Sequence, residues 1–235
     1  MDYRDFDKLE LLTVVKGRLV NETPIRVGTG REPPLGSSVD ITPLRIIFAD
    51  GTNRPFIPGS SLKGVLRSTV EALAKAKGEV VHDPWDFEAA EAEAKEGKFC
   101  VICGIFGNQK LASHVRVYDA YPLGNPVFFT KTGVAIDRDF RGVKPGAMYV
   151  EQQVAPNTQW SFRMDIYNIQ VFPEPGDKRG EYLREVLRML REGLIQVGSR
   201  RSVGFGLIRL VEAKWVSFGI ANGKLVVKGE GVLHE

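Results

Sequence analysis

Phe56-Ile-Pro-Gly-Ser-Ser-Leu-Lys-Gly-Val-Leu-Arg-Ser68 is the stretch on which the reading of this chain turns. It runs from the end of a strand through a Pro-Gly turn into the first turns of a helix. Ser60 or Ser61 stands where a helix cap accepts from free backbone N–H groups. Those groups, with the positive end of the helix dipole, form an anion site. Lys63 and Arg67 are four residues apart and share one helical face beside it. The arrangement suits contact with phosphate. It is not a nucleotide P-loop, because the Gly-Lys-Ser/Thr ending of that motif is missing. Taken alone, the same residues also describe an ordinary capped amphipathic helix with a solvated basic edge.

Working outward, Leu62, Val65, Leu66, Val70, Leu73 and Ala74 recur at helical spacing and carry this first helix over residues 61–77. Upstream, residues 11–20 alternate as a first strand, 28–38 form a Gly/Pro/Ser-rich loop, and 43–48 with 54–58 form a hairpin around Asp50-Gly51-Thr52-Asn53. Downstream, residues 84–96 form a second, acidic helical stretch within an insertion at about 78–105. Strands follow at 115–120, 128–139, 148–155 and 159–169, and a second long helix spans 181–193. A glycine-rich loop at 198–206 leads to a strand at 207–214 and a last hairpin, 216–220 with 225–228, turning at Asn222-Gly223. The order strand, helix, strand, strand, helix, strand predicts an α+β, ferredoxin-like single domain over 1–235. The strands lack the stacked aromatics of the common RRM module, so RNA is not expected to lie across an aromatic sheet face.

Bulk properties agree with one sizeable core. The chain has 235 residues, 43% of them hydrophobic, a formal charge of +3 and a pI near 8.8. That charge allows a nucleic-acid partner where cations cluster. Two cysteines at C-x-x-C spacing, with no leader and no long apolar run, predict a soluble, cytoplasmic protein without a membrane role.

Four further motifs carry chemistry. Gly28-Thr-Gly-Arg-Glu-Pro-Pro-Leu-Gly-Ser-Ser-Val-Asp40 ends in a carboxylate suited to a general base or a divalent cation, or simply to closing a loop. Cys100-Val-Ile-Cys103 is spaced for two zinc thiolates, with His82 as third ligand. A fourth ligand is open between His114, an acidic residue of the insertion and water, and two buried free thiols are the alternative. Gly104-Ile-Phe-Gly107 and Ser113-His-Val-Arg-Val-Tyr-Asp-Ala120 read as a buried strand with glycines that allow close backbone approach. Gly198-Ser-Arg-Arg-Ser-Val-Gly-Phe-Gly206 presents backbone N–H groups beside Arg200 and Arg201, an anion-binding combination that includes Ser199 and Gly204.

Five phrases in order, among them F-I-P-G-S-S-L-K-G-x-x-R, resemble the RAMP proteins of CRISPR effector complexes, above all the repeating backbone subunit of type III complexes. That resemblance implies binding of guide RNA and of complementary target RNA, and assembly with copies of itself and other effector subunits. It makes Asp40 the residue that cuts guide-paired target RNA with magnesium or manganese. Some relatives carry a zinc site just before the phrase that here reads Gly104-Ile-Phe-Gly107. The family usually has Arg where this chain has His114. The region Lys131-Thr-Gly-Val-Ala-Ile-Asp-Arg138 with Gly146-Ala-Met-Tyr-Val-Glu-Gln152 resembles the family's thumb, a hairpin at about 130–155. Phe140, Val143 and Met148 would wedge between nucleotides while Arg138, Arg141 and Lys144 hold phosphates. A mobile, solvated hairpin is the other reading of the same residues. A stand-alone RAMP endoribonuclease that processes guide precursor is the alternative function. Such relatives rely on a histidine, and none of His82, His114 and His234 lies in the first-strand loop or the glycine loop. A metabolic enzyme would need a cofactor motif, and none is found.

Overall fold

The computed structural model describes residues 1–28 and 39–233. Most of the loop expected at 28–38, and His234, fall outside them. The central strand β1 (Leu11–Asn21) alternates: Val15 and Leu19 point inward and are fully buried, while Leu12, Val14, Lys16 and Arg18 lie on the other face. A small hairpin, β2 (Arg45–Ile47) and β3 (Asn53–Pro55), leads into helix α1 (Gly59–Ala76). Then come α2 (Phe87–Glu96), α3 (Val101–Phe106), β4 (Val115–Val117) and the long hairpin β5 (Phe128–Ile136) and β6 (Val143–Val154). The chain finishes with β7 (Gln159–Tyr167), α4 (Lys178–Arg191), β8 (Ile195–Gln196), β9 (Leu207–Ala221) and β10 (Lys224–Val232).

The main sheet is antiparallel in the order β10-β9-β1-β7-β4, with β8 paired to β9. Without its β10 edge, that is the ferredoxin-like arrangement the sequence predicts: last strand, first, third, second. Helices α1 and α4 cover one face. Leu62, Leu66, Val70 and Ala74 of α1, with Leu183, Val186, Leu187 and Leu190 of α4, meet Trp160, Phe162, Met164 and Ile166 of β7 there. Asp177 caps α4 by accepting from the N–H groups of Arg179 and Gly180. Among the described residues no helix is long and apolar enough to cross a membrane.

Three local expectations need correction. Neither Ser60 nor Ser61 caps α1. The helix starts earlier, at Gly59, and the Gly59 N–H donates to Asp119 Oδ1 at 2.7 Å, so a carboxylate from beyond β4 supplies the anion that the helix start attracts. Gly59 is required because a Cβ there would overlap the Val117 carbonyl oxygen. Second, Gly104-Ile-Phe106 belongs to helix α3, capped by Cys100 Sγ, and is not strand. A short apolar run suits either state, and here Tyr3 packs its ring onto Gly104 and fixes the helix. Third, the strand at 207–214 and the first arm of the last hairpin are one strand, β9, with a bulge at Glu212 (φ +51°) absorbing the irregularity. Asn222 and Gly223 both have positive φ, as a tight two-residue hairpin turn demands.

Gly59→Ala should therefore lower stability by about 1–3 kcal/mol through overpacking against β4, read as a drop in the urea midpoint. An unchanged midpoint would show that the α1–β4 approach is looser than described.

Candidate nucleic-acid interface

Three consecutive residues of β6, at the base of the long hairpin, gather groups from distant parts of the chain. Val150 exchanges two hydrogen bonds with Asp40: its N–H donates to Asp40 Oδ2 at 2.6 Å, and its carbonyl accepts from the Asp40 N–H at 2.9 Å. Glu151 turns inward and is 1% exposed. Its carboxylate lies 2.9 Å from Arg200 Nε and 3.8 Å from Arg26 Nη2. Tyr149 accepts a hydrogen bond from Arg200 through its hydroxyl and takes the same guanidinium over its ring at 4.7 Å.

The glycine loop is shaped to bring Arg200 there. Gly198 and Gly206 have φ near +90° and +75°, and a Cβ on either would overlap a backbone carbonyl, that of Arg26 or of Val197. Arg200 is left-handed (φ +59°), and residues 201–203 make one 3₁₀ turn. Arg26 donates from Nε and Nη2 to Ser199 Oγ, and Gln196 Nε2 donates to the Arg201 and Phe205 carbonyls, so the loop is braced from both sides. Arg201 and Gly204 are exposed.

Two guanidiniums share one buried carboxylate, so the cluster is left with a net positive charge. Burial holds Arg26 below its ordinary pKa despite Glu151. For Arg200 burial acts in the same direction, but the Tyr149 hydrogen bond and the Glu151 charge outweigh it and raise the value. Asp40 is exposed.

The other residues singled out in the sequence lie apart from this cluster or are spent within the protein. Lys63 Nζ donates to Ser113 Oγ at 2.7 Å, and burial, then Arg67, push its pKa down. Arg67 donates to Glu71 and to the Gly107 carbonyl. Among the described residues no contact joins Lys63 or Arg67 to Arg200 or Arg201. Ser60 is exposed and Ser61 half-buried. Arg138, Arg141 and Lys144 are exposed around the far end of the hairpin, where Phe140 is 88% exposed. Sequence reasoning missed Arg26, Tyr149 and Glu151 as functional residues. A lone Glu in a solvated hairpin gives no signal until its partners, 49 and 125 residues away, are in place.

A second cluster ties the insertion to the body. One donor atom each from His82, Glu93, Cys100 and Cys103 falls within 4.8 Å of the other three. His82 Nε2 sits 2.9 Å from Glu93 Oε2 and 3.4 Å from Cys103 Sγ, while Glu93 Oε1 accepts from the Cys100 N–H. The hydrogen bond from the Cys103 thiol lowers the Cys100 thiol to about 6 and raises that of Cys103. One imidazole, one carboxylate and two sulfurs form a donor set that fits tetrahedral zinc, and the acidic residue is Glu93. His114 is elsewhere, fully buried, with Nε2 at 2.7 Å from Asp5 Oδ1.

Residues 18–209 match the family model of the RAMP superfamily. No curated protein sequence matches the chain. Among solved structures the chain is similar to one in the cryo-EM structure of the type III-B Cmr-beta bound to cognate target RNA. The TM-score is 0.53 at 19% identity, and the alignment covers 93% of this chain and 62% of that one. The likeness is one of fold, and this chain spans less than two thirds of that relative's length.

Removing the Glu151 charge should be costly, because it leaves Arg26 buried without its counter-ion. Glu151→Gln is expected to lose about 3 kcal/mol in urea unfolding. Arg200→Ala should lose less, since Arg200 is about a third exposed and its place is open to water. The reverse order would reject Glu151 as the centre of the cluster.

Proposed function

We propose, because this chain belongs to the RAMP superfamily, that it is an RNA-binding subunit of a type III CRISPR effector assembly. It holds guide RNA at the glycine loop and the base of the hairpin, and it assembles with copies of itself and with other effector subunits. The supporting observation is the convergence on residues 149–151 of β6: Arg200 and Asp40 hang from adjacent positions of one strand. Arg200, Arg201 and the backbone of 198–206 take phosphates, and Arg138, Arg141 and Lys144 follow the backbone along the hairpin. The two histidines described are committed elsewhere, His82 with Glu93 and Cys103 and His114 with Asp5, which favours this reading over a histidine-dependent processing nuclease.

Cleavage of guide-paired target RNA falls to Asp40. Val150 occupies one carboxylate oxygen and fixes its direction, and Asp40 as a residue is exposed. Asp40 accepts the proton of a 2′-hydroxyl. The freed 2′-oxygen then bonds to the adjacent phosphorus while the P–O5′ bond breaks, and the departing oxygen takes up a proton. Glu151 is consumed by Arg26 and Arg200, so a magnesium or manganese ion would be held by Asp40 with RNA phosphate and would supply Lewis acidity. Arg200→Ala/Arg201→Ala should weaken RNA binding for every sequence and flatten the salt slope by about 1.4, two single-strand phosphate contacts' worth. Asp40→Ala should abolish cleavage in the assembled complex while leaving affinity unchanged. Unaltered salt dependence would remove the glycine loop from the interface. Equal cleavage by wild type and mutant would reject Asp40.

Zinc in the His82, Glu93, Cys100 and Cys103 cluster completes the proposal. Metal analysis of protein purified without added metal should give about one zinc per chain, lost in Cys103→Ser with a fall in melting temperature. Metal-free protein with two freely titrating thiols would exclude it.

A further inference from the structure

The face of the main sheet opposite α1 and α4 is open, and its side chains are arranged for a partner. In direct register, Lys214 of β9 lies opposite Lys16 of β1, which lies opposite Arg163 of β7. Three cations thus stand in one row across neighbouring strands, an arrangement that destabilises a sheet unless something anionic covers it. Asp165 neutralises Arg163, and Glu212 pairs with Arg18 nearby. Lys16 and Lys214 have no ion-pair partner among the described residues.

On β1 and β9 the next rows of the same face are apolar where a solvated antiparallel sheet would be polar, and the first of them ends in Asp165 of β7 and the exposed Glu230 of β10. Val216 faces Val14, and Phe218 faces Leu12 on one side and Val227 on the other. Ile220 and Leu225 pair beyond them and are 47% and 51% exposed. These rows and the cations border a shallow groove of about 620 Å³. It runs from Leu225 of β10 across β9 and β1 to Arg163 of β7, a width of about 14 Å at ordinary strand spacing, which leaves room for one α-helix with its side chains.

We infer that this face docks an acidic amphipathic helix of a partner protein: its apolar stripe lies on the aliphatic rows and its carboxylates meet Lys16 and Lys214. The charge row calls for an anion, and the aliphatic floor calls for a protein rather than RNA. Bases stack on aromatic rings, and Phe218 is the one aromatic bordering the groove among the described residues. Tyr167 and Tyr118, on the β7–β4 side, already hold Arg116 and Arg163 over their rings. The inference does not depend on the RNA site, which is built on other strands.

The test uses the full chain and two labelled synthetic helical peptides of about 18 residues, roughly 27 Å long. They share one leucine stripe and carry either Glu or Lys on its flanks. Fluorescence anisotropy should show the acidic peptide binding and the basic one not. Lys16→Glu/Lys214→Glu should weaken the acidic peptide by about tenfold and admit the basic one. Val216→Asp, placed on the open face where its folding is checked by circular dichroism, should weaken the acidic peptide by at least as much. Failure of the acidic peptide to bind, or equal binding of both, would overturn the inference. So would self-association that Val216→Asp abolishes, which assigns the face to a second copy. Displacement of the acidic peptide by single-stranded RNA in an Arg200→Ala/Arg201→Ala background would assign it to nucleic acid.

Discussion

A carboxylate taken out of water must be paired, and the Glu151 carboxylate sets the geometry of everything proposed for this chain. Its partners come from the chain just after β1 and from the loop after β8. Bringing them together closes the hairpin base onto the sheet and presses the glycine loop against both. The unusual backbone of that loop, left-handed at Arg200 and glycine-dependent at 198 and 206, follows from the same demand. Arg200 has to turn back toward Glu151 while its neighbour Arg201 turns to solvent. Because Val150 lies one position along the strand, its backbone faces the other way and is available to Asp40. One strand therefore carries one carboxylate inward, Glu151, and holds another, Asp40, at the surface.

A second constraint bears on where phosphate contact is proposed. The start of α1 attracts an anion by its exposed N–H groups and dipole, and Asp119 meets that demand from within the protein. Lys63 and Arg67, one and two turns further on, are likewise bonded to Ser113, Glu71 and the Gly107 carbonyl. These bonds knit α1 to the segment between α3 and β4 and give the helix its fixed approach to the sheet. They also leave the glycine loop, with its surplus of guanidinium over carboxylate, as one place where positive charge is not yet answered.

The fold was legible because its signals are local and periodic. The alternation of β1, the apolar stripes of α1 and α4 and the Asn222-Gly223 turn each need only a few neighbours to be read. The errors came where tertiary contact outvotes local preference. A carboxylate 60 residues away replaced the serine cap of α1, Tyr3 set the helical state of residues 104–106, and a bulge kept β9 continuous. The candidate site divides in the same way. Asp40, Arg200 and Arg201 stand in recognisable phrases. Arg26, Tyr149 and Glu151 do not, because a buried ion pair has no sequence signature when its members are scattered. The thiols and His82 were legible by spacing, and Glu93 became the fourth donor only when α2 folded back on α3.

The insertion shows why such a cluster is needed at all. Residues 79–96 are strongly acidic, and α2 buries only Ala90 among its ten residues. The core beneath is a small patch of Tyr3, Phe99, Cys103 and Leu111. Apolar burial on that scale offsets only a few residues' worth of chain entropy, at about 1–2 kcal/mol for each backbone position fixed. His82 anchors the start of the insertion, Glu93 its helix, and the two sulfurs the body of the domain. A metal bound by all four would contribute its binding energy directly to holding the segment in place. On the proposed metal site Glu93 would be a ligand, and the remaining carboxylates keep a loosely buried segment solvated.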